Sequence, residues 1–517
     1  MTVPPGAVAG DGPPLTADQH AALEAFAAWL TAPTDGSPFV LQGYAGTGKT
    51  FLSMRFLSLV EEARLCWTVV APTHKAVGVL RQHLERAELR PTWYPSTVHR
   101  LLRLKLRRER DRERCEETEQ TAAALESLDL VLLDEASMVD GTLLEILLRC
   151  AHPYRTRLVF VGDPAQLPPV GEETSPVFAL GRARQAALTA VVRHQGPVLR
   201  LATGLRLGTL PCRPPPILPP LPGGAGGGGV ALPGRRAWLE AAQEALRRSA
   251  ETDDPDRVRL LCYTNQTLER LVPMARRALH GDLADQLPVL PGEVLLTRTA
   301  VMAPACRQGE EEAEEPDLVL GSNRELLVHD VQPERCDLRE FGLEEAPLID
   351  TITATVAAGE SRLQLRLLPP IASAARASLE AVLQRLRQEA RAAGREGGRS
   401  LWRRFFLVRD AFASLGPAAV LTVHRSQGST FEEVFVHADV FWPQNERLRR
   451  QLVYVAVSRA SRAVTLLAAP GSAAEQALWR AWLEEVPDQT LRPGARPRAE
   501  GSAPRSPASP GSPPAAG

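Results

Sequence analysis

The sequence predicts an α/β chain of several domains, and three features carry that expectation. Residues 38–52 read as a short buried strand, a glycine-rich turn and the start of a helix. Two further apolar runs, 128–133 and 157–161, lead into polar and acidic residues, as strands of a buried parallel sheet do at their ligand-facing edge. From 292 to about 369 the pattern changes to short β-like runs separated by turn residues.

A length of 517 residues fits roughly three or four domains, and 44% hydrophobic residues suffice for large cores. The net charge of −1 excludes a polycation, so any nucleic-acid contact must come from local patches. Arginine supplies nearly all the positive charge. Lysine occurs only as Lys49, Lys75 and Lys105, where a compact ammonium is wanted. Cys66, Cys115, Cys150, Cys212, Cys262, Cys306 and Cys336 are scattered without CxxC spacing, which points to neither a zinc site nor a disulfide framework. There is no secretory leader pattern and no apolar run of about 18 residues. The expectation is a soluble cytoplasmic protein with no membrane partner.

Residues 1–14 are rich in Pro and Gly and read as loose. A helix follows, capped by Thr16, with Ala22, Leu23, Phe26 and Leu30 on its apolar face and Gln19 in its first turn. A Gln amide placed one helix before a phosphate loop can read an adenine edge with one donor and one acceptor. The loop itself is Gly43, Tyr44, Ala45, Gly46, Thr47, Gly48, Lys49, Thr50 and Phe51. Its glycines let backbone N–H groups curl round phosphate oxygens, and the next helix points its positive end at the same anion. Lys49 reaches the β/γ-phosphates and the Thr50 hydroxyl ligates Mg²⁺, which implies ATP as nucleotide.

Further polar residues fall at strand ends. Thr73, His74 and Lys75 follow the strand at 67–72, and Thr97 and His99 open a helix. Residues 101–127 mix Arg and Lys with Glu and Asp and read as a solvated insertion. The strand at 128–133 ends in Asp134 and Glu135, placed for Mg²⁺ and for orienting and deprotonating a water. Gln166 lies on a turn at the same edge, placed to sense a γ-phosphate. Arg193, and Arg459 after a strand-like run at 452–457, could converge on that phosphate and neutralise transition-state charge.

Taken in order, Gln19, GYAGTGKT, APTHKAV, STVHRLL, LLDEAS, VGDPAQLPPV, VVRHQ, TVHRSQGSTF and YVAVSRA resemble the motif series of superfamily 1 helicases. The similarity is greatest to the 1B branch, the RecD-like and Dda-like DNA helicases, and spans roughly 15–205 and 256–470. It implies two RecA-like domains sharing one ATP with Mg²⁺, movement on single-stranded DNA and DNA forks, and 5′→3′ polarity. It implies that Gln19 recognises adenine and that Gln166 couples nucleotide to DNA. Arg193 and Arg459 become arginine fingers, and Gln427 and Gly428 lie near the phosphates. Thr73, His74, Lys75, Thr97, His99, Thr422 and His424 line the DNA path. His194 departs from the pattern by separating Arg193 from Gln195.

On this reading 15–205 is the first RecA-like domain, with a small insertion at 101–127. Residues 206–291 begin the second domain and include a Pro/Gly-rich surface loop at 207–234. Residues 292–400 form an inserted SH3-like barrel with a helix at 371–392 that stops at Gly394, Gly397 and Gly398. The acidic run 310–315 is a loop of that barrel. Residues 401–483 complete the second domain, and 484–517 form a disordered tail. A monomer is expected, with protein partners left open. Three alternatives remain: a translocase that remodels protein–DNA complexes without efficient unwinding, a phosphate-loop small-molecule kinase, and a nucleotide-gated scaffold. The last would need a broken Asp134/Glu135 pair.

Overall fold

The computed structural model describes residues 14–484, apart from 110–111, 170, 191–195, 220–228, 253, 255–256, 303–317, 344–345, 360 and 371. Residues 1–13, Arg193 with His194 and Gln195, the acidic run at 310–315 and the tail from 485 lie outside the described residues.

The first sheet is parallel throughout, with strands β1 (Phe39–Gly43), β2 (Trp67–Ala71), β3 (Ser96–Thr97), β4 (Leu130–Leu133), β5 (Arg157–Gly162) and β6 (Arg184–Leu188) in the order β3-β2-β4-β5-β1-β6. The central strands β1, β2, β4 and β5 are largely apolar on both sides because helices cover both faces. Phe39, Leu41, Val69 and Leu132 join a core with Phe26, Leu52 and Phe56, whereas Val40, Val70, Val131 and Leu133 join another with Leu144 and Leu147. Alternate residues of one strand thus feed opposite layers. The C-terminal ends of β1, β2, β4 and β5 are thereby left for chemistry.

The expected solvated insertion is only partly solvated. A hairpin pairs Lys105–Glu109 with Arg112–Glu116. Beyond it Thr121, Ala124 and Leu125 are buried, the last two in the second core, because they cap the layer under β4.

The second sheet is also parallel: β7 (Val230–Ala231), β8 (Val258–Cys262), β9 (Val420–Thr422), β10 (Phe431–Val436) and β11 (Ala460–Leu466), in the order β9-β8-β10-β11-β7. Here the expected surface loop at 207–234 is corrected. Leu210, Cys212, Leu218, Val230 and Leu232 are buried in the core of this domain, and β7 is an edge strand of its sheet. The apolar residues between the prolines find a core, which composition alone does not reveal.

Between β8 and β9 the chain builds an antiparallel five-stranded sheet. Its strands run Ser361–Arg366, Leu348–Ala358, Glu325–Asp337, Val294–Thr297 and Leu415–Pro417 in spatial order. The two outer edges meet: the Ala413 N–H donates to Arg366 O at 2.7 Å and the Leu368 N–H donates to Ala413 O at 2.9 Å. Its root is fixed to the second domain by the buried Arg276–Glu293 pair at 2.8 Å, with Arg276 also donating to Ala284 O. Helix Ala374–Ala392 follows the sheet. The first helix ends at Ala392 as expected, but the chain does not return to the second domain from 401. A second helix, Gly394–Asp410, carries Trp402 and Phe405 onto Leu379, Val382 and Leu386, and packing of that stripe outweighs the poor helix propensity of the glycines. Among the described residues no helix is long and apolar enough to cross a membrane.

Candidate active site

The loop after β1 is shaped by glycines at two points. Gly46 and Gly48 have φ of 82° and 81°, in the left-handed region. A Cβ on Gly43 would lie 2.6 Å from the Thr47 hydroxyl, which excludes any side chain there. Helix Lys49–Glu62 has Gly48 as its N-cap, so no side chain caps its first N–H groups. That end is open to an anion. Lys49 Nζ donates to Gly43 O at 2.8 Å and Tyr44 O at 3.1 Å, holding the loop closed over its own ammonium. Thr50 and Phe51 form the half-buried first turn. Gln19 is buried: its Nε2 donates to Thr47 O at 2.9 Å while Oε1 accepts the Thr16 N–H at 3.0 Å. The adenine-reading candidate therefore also ties the capping box of the first helix to the loop.

Asp134 leaves the end of β4 with its N–H on Val70 O. Burial, and then the neighbouring Glu135, push its carboxyl up to about 7, while the Glu135 N–H and Lys49 pull it down. Glu135 sits at φ 55°, a left-handed conformation costly for a side chain and found where a site imposes it. After β5, Asp163 is fully buried and accepts the Ala165 N–H at 2.9 Å. Gln166 is buried too, and its Oε1 has no hydrogen-bond partner.

The second domain closes on this edge. Gln427 Nε2 donates to Leu167 O at 3.1 Å. Gly428, at φ 72°, presses so close that a Cβ would stand 3.3 Å from that of Ala76 and 3.9 Å from Glu135 Cγ. The structure thus gathers the loop, Asp134, Glu135, Gln166, Gln427 and Gly428 at one cleft. Arg459 follows helix Glu446–Ser458, and at least three of its donors are engaged by Ser429 O, Val455 O and Ser458 Oγ at 3.0–3.2 Å.

The residues expected on the nucleic-acid side flank the same edge. Thr73 and Thr97 cap helices, accepting the Ala76 and Arg100 N–H groups. Thr422 is buried at the end of β9, before the turn that carries His424. Burial holds His74, His99 and His424 each below the usual histidine range, and Arg324, Arg100 and Arg81 add to the effect on His74. Lys75 pairs with Glu325 of the inserted sheet at 2.9 Å, and Arg259 reaches the same carboxylate at 3.5 Å. A narrow cavity lined by Thr73, Lys75, Asn323, Glu325 and Arg425 marks where both domains and the insertion meet.

Residues 14–210 match the family described as an AAA domain, and residues 417–467 match the UvrD-like helicase C-terminal domain. An uncharacterised protein of Acanthamoeba polyphaga mimivirus is 32% identical over 156 residues, 27% of this chain and 31% of that protein. The ATP-dependent RecD2 DNA helicase of Deinococcus radiodurans is 34% identical over 177 residues, 33% of this chain and 22% of that one. The ATP-dependent DNA helicase dda of Enterobacteria phage T4 is 23% identical over 426 residues, covering 81% of this chain and 92% of the phage protein. The chain is similar to superfamily 1B helicases of the RecD-like and Dda-like type. It spans less than a third of the mimivirus and Deinococcus relatives and nearly all of the phage one.

The cleft holds two side chains that sequence reasoning missed. The Tyr454 hydroxyl accepts the Ala45 N–H at 2.9 Å and donates to Asp163 Oδ2 at 2.7 Å, so one second-domain residue bridges two segments of the first. Arg206 stacks on the Tyr44 ring at 3.3 Å from its centroid. Residues 452–457 read as strand-like, but they are helical, within Glu446–Ser458. A continuous apolar run does not separate the two by period, and that hid the role of Tyr454. Tyr454→Phe is expected to lower the kcat of ATP hydrolysis roughly 10-fold. It should also cost about 1–3 kcal/mol of stability, because buried Asp163 loses a donor. Steady-state kinetics and denaturant unfolding check both, and an unchanged kcat would remove the bridge from the mechanism.

Proposed function

We propose that this chain is an ATP-dependent DNA helicase that moves 5′→3′ on single-stranded DNA and separates the duplex at forks. In this reading the two parallel sheets are RecA-like motor domains and the inserted antiparallel sheet is an SH3-like barrel. One observation carries the reading: the second domain touches the phosphate loop and the turn after β5 directly, through Tyr454 and Gln427. A nucleotide seated on the loop must then alter how the domains meet. The same second domain bears Thr422 and His424, so the nucleotide and the grip on DNA are mechanically linked.

Gly43 to Thr50 and Lys49 bind the phosphates, Glu135 orients and deprotonates the attacking water, and Arg459 neutralises developing charge. The donor set at the β4 end fits Mg²⁺. Asp134 is a half-buried carboxylate raised by desolvation and by Glu135, and a cation would relieve both effects. Mg²⁺ shared with substrate phosphates needs only one or two protein oxygens, here Thr50 and Asp134. When bound it supplies charge neutralisation on the phosphates. Contacts from Thr73, His74, Lys75, Thr97, His99, Thr422 and His424 would follow the backbone, so little base preference is expected. Affinity should fall by about 0.7 log units per log salt for each neutralised phosphate.

The test is ATP hydrolysis with and without single-stranded DNA, followed by unwinding of forks with 5′ or 3′ tails. Strong stimulation by DNA and unwinding from a 5′ tail are expected. Stimulation without unwinding would leave a translocase that remodels protein–DNA complexes. High turnover indifferent to DNA would favour a small-molecule kinase and end the motor reading.

A further inference from the structure

Tyr94, in the segment leading to β3, takes no part in the cleft. It is 74% exposed, the most exposed of the chain's large apolar side chains among the described residues. Its ring is not isolated. The Arg81 guanidinium lies 4.2 Å from the ring centroid, and Arg81 Nη2 is anchored on Pro95 O at 2.8 Å. Arg81 Nε is buried with no hydrogen-bond partner. Arg81 stands seven residues along the helix that starts at His74, about 10 Å by helical rise. The charges acting on His74, those of Arg324, Arg100 and Arg81, are all positive. A cationic strip therefore leads from the expected DNA contacts at His74 to a flat aromatic face.

We propose that Tyr94, backed by Arg81, is a stacking platform for a base of single-stranded DNA, extending the DNA path beyond His74 and Thr97. This rests on the helicase reading. A single exposed aromatic is ordinary on a protein surface. Here the anchored guanidinium fixes the ring from one side and leaves its opposite face to solvent. The positive strip is placed to hold the phosphates next to that base, about 10 Å away by helical rise. Stacking of this kind uses the π-face that every base presents, so it needs no sequence.

The experiment is equilibrium binding of fluorescein-labelled oligothymidylate to the full chain by anisotropy, without nucleotide. Tyr94→Ala should raise Kd roughly 5- to 30-fold, the range expected for loss of one stacked base at an exposed site. Tyr94→Phe keeps the face and should bind within about twofold of wild type. The slope of log Kd against log salt should be the same for Tyr94→Ala and wild type, because no phosphate contact is removed. ATP turnover without DNA should not change in either variant. Wild-type affinity in Tyr94→Ala overturns the platform and leaves the helicase reading standing. Equal loss in Tyr94→Ala and Tyr94→Phe also overturns it, since the hydroxyl rather than the face would then matter. If the wild-type chain does not bind the oligonucleotide, both proposals fail.

Discussion

Replacing Lys49 with Ala is expected to reduce ATP turnover by about three orders of magnitude, roughly 4 kcal/mol of barrier. The ammonium is already in place at the loop, 2.8 Å from Gly43 O, and two of its three donors hold loop carbonyls. It is also close enough to Asp134 to favour that carboxylate's charged form. Removing it takes away the point charge that would meet the β/γ-phosphates and leaves two carbonyls without their donor. The loss should therefore appear in nucleotide affinity as well, but less than in kcat, because charge on the transferring group grows toward the transition state. Binding of single-stranded DNA in the absence of nucleotide should stay within about twofold, since Lys49 opens the helix after the loop whereas Thr73 and His74 begin a different helix. Steady-state hydrolysis, binding of a fluorescent ADP analogue and DNA anisotropy measure the three. Turnover above a tenth of wild type would remove Lys49 from its role.

What the sequence reveals of this site follows from how each part is encoded. The loop is legible because its chemistry lies within eight consecutive residues, Gly43 to Thr50, whose glycines have a local conformational reason. Asp134 and Glu135 are legible because two acids ending an apolar strand are a local contradiction. The bridge made by Tyr454 depends on a contact 409 residues away in sequence, to Ala45, and nothing near Tyr454 signals it. The same holds for Arg206 on Tyr44. The fold shows a parallel limit. Covered parallel strands announce themselves by unbroken apolarity. The flanks of the Pro/Gly-rich segment were misjudged because Leu210, Leu218 and Leu232 are buried only by the tertiary contacts of β7 and its neighbours. Helix Gly394–Asp410 was missed because glycine propensity argued against it, while Trp402 and Phe405 found a partner helix that sequence did not display.

Arg459→Lys should lower kcat roughly a thousandfold while leaving the KM for ATP within a few-fold, the signature of a group that acts on transition-state charge. The resting geometry makes this a demanding test. The guanidinium donates to Ser429 O at 3.0 Å, Val455 O at 3.2 Å and Ser458 Oγ at 3.1 Å, all in its own domain. To serve a phosphate across the cleft it must give up part of that set, and Tyr454 on the adjoining helix, bonded to Ala45 of the loop, shows that the two domains already meet there. Lysine keeps the charge but not the planar fork, so it also weakens the local structure, by about 1–3 kcal/mol for acceptors left buried. Ser458→Ala separates the two effects. It removes one of the three acceptors and leaves the guanidinium intact. If Arg459 acts on the nucleotide, Ser458→Ala should retain turnover within about threefold, or gain, because the arginine is released more readily. Should both variants lose turnover together with stability, Arg459 is a strut of the second domain, and the charge at the γ-phosphate must come from elsewhere in the cleft.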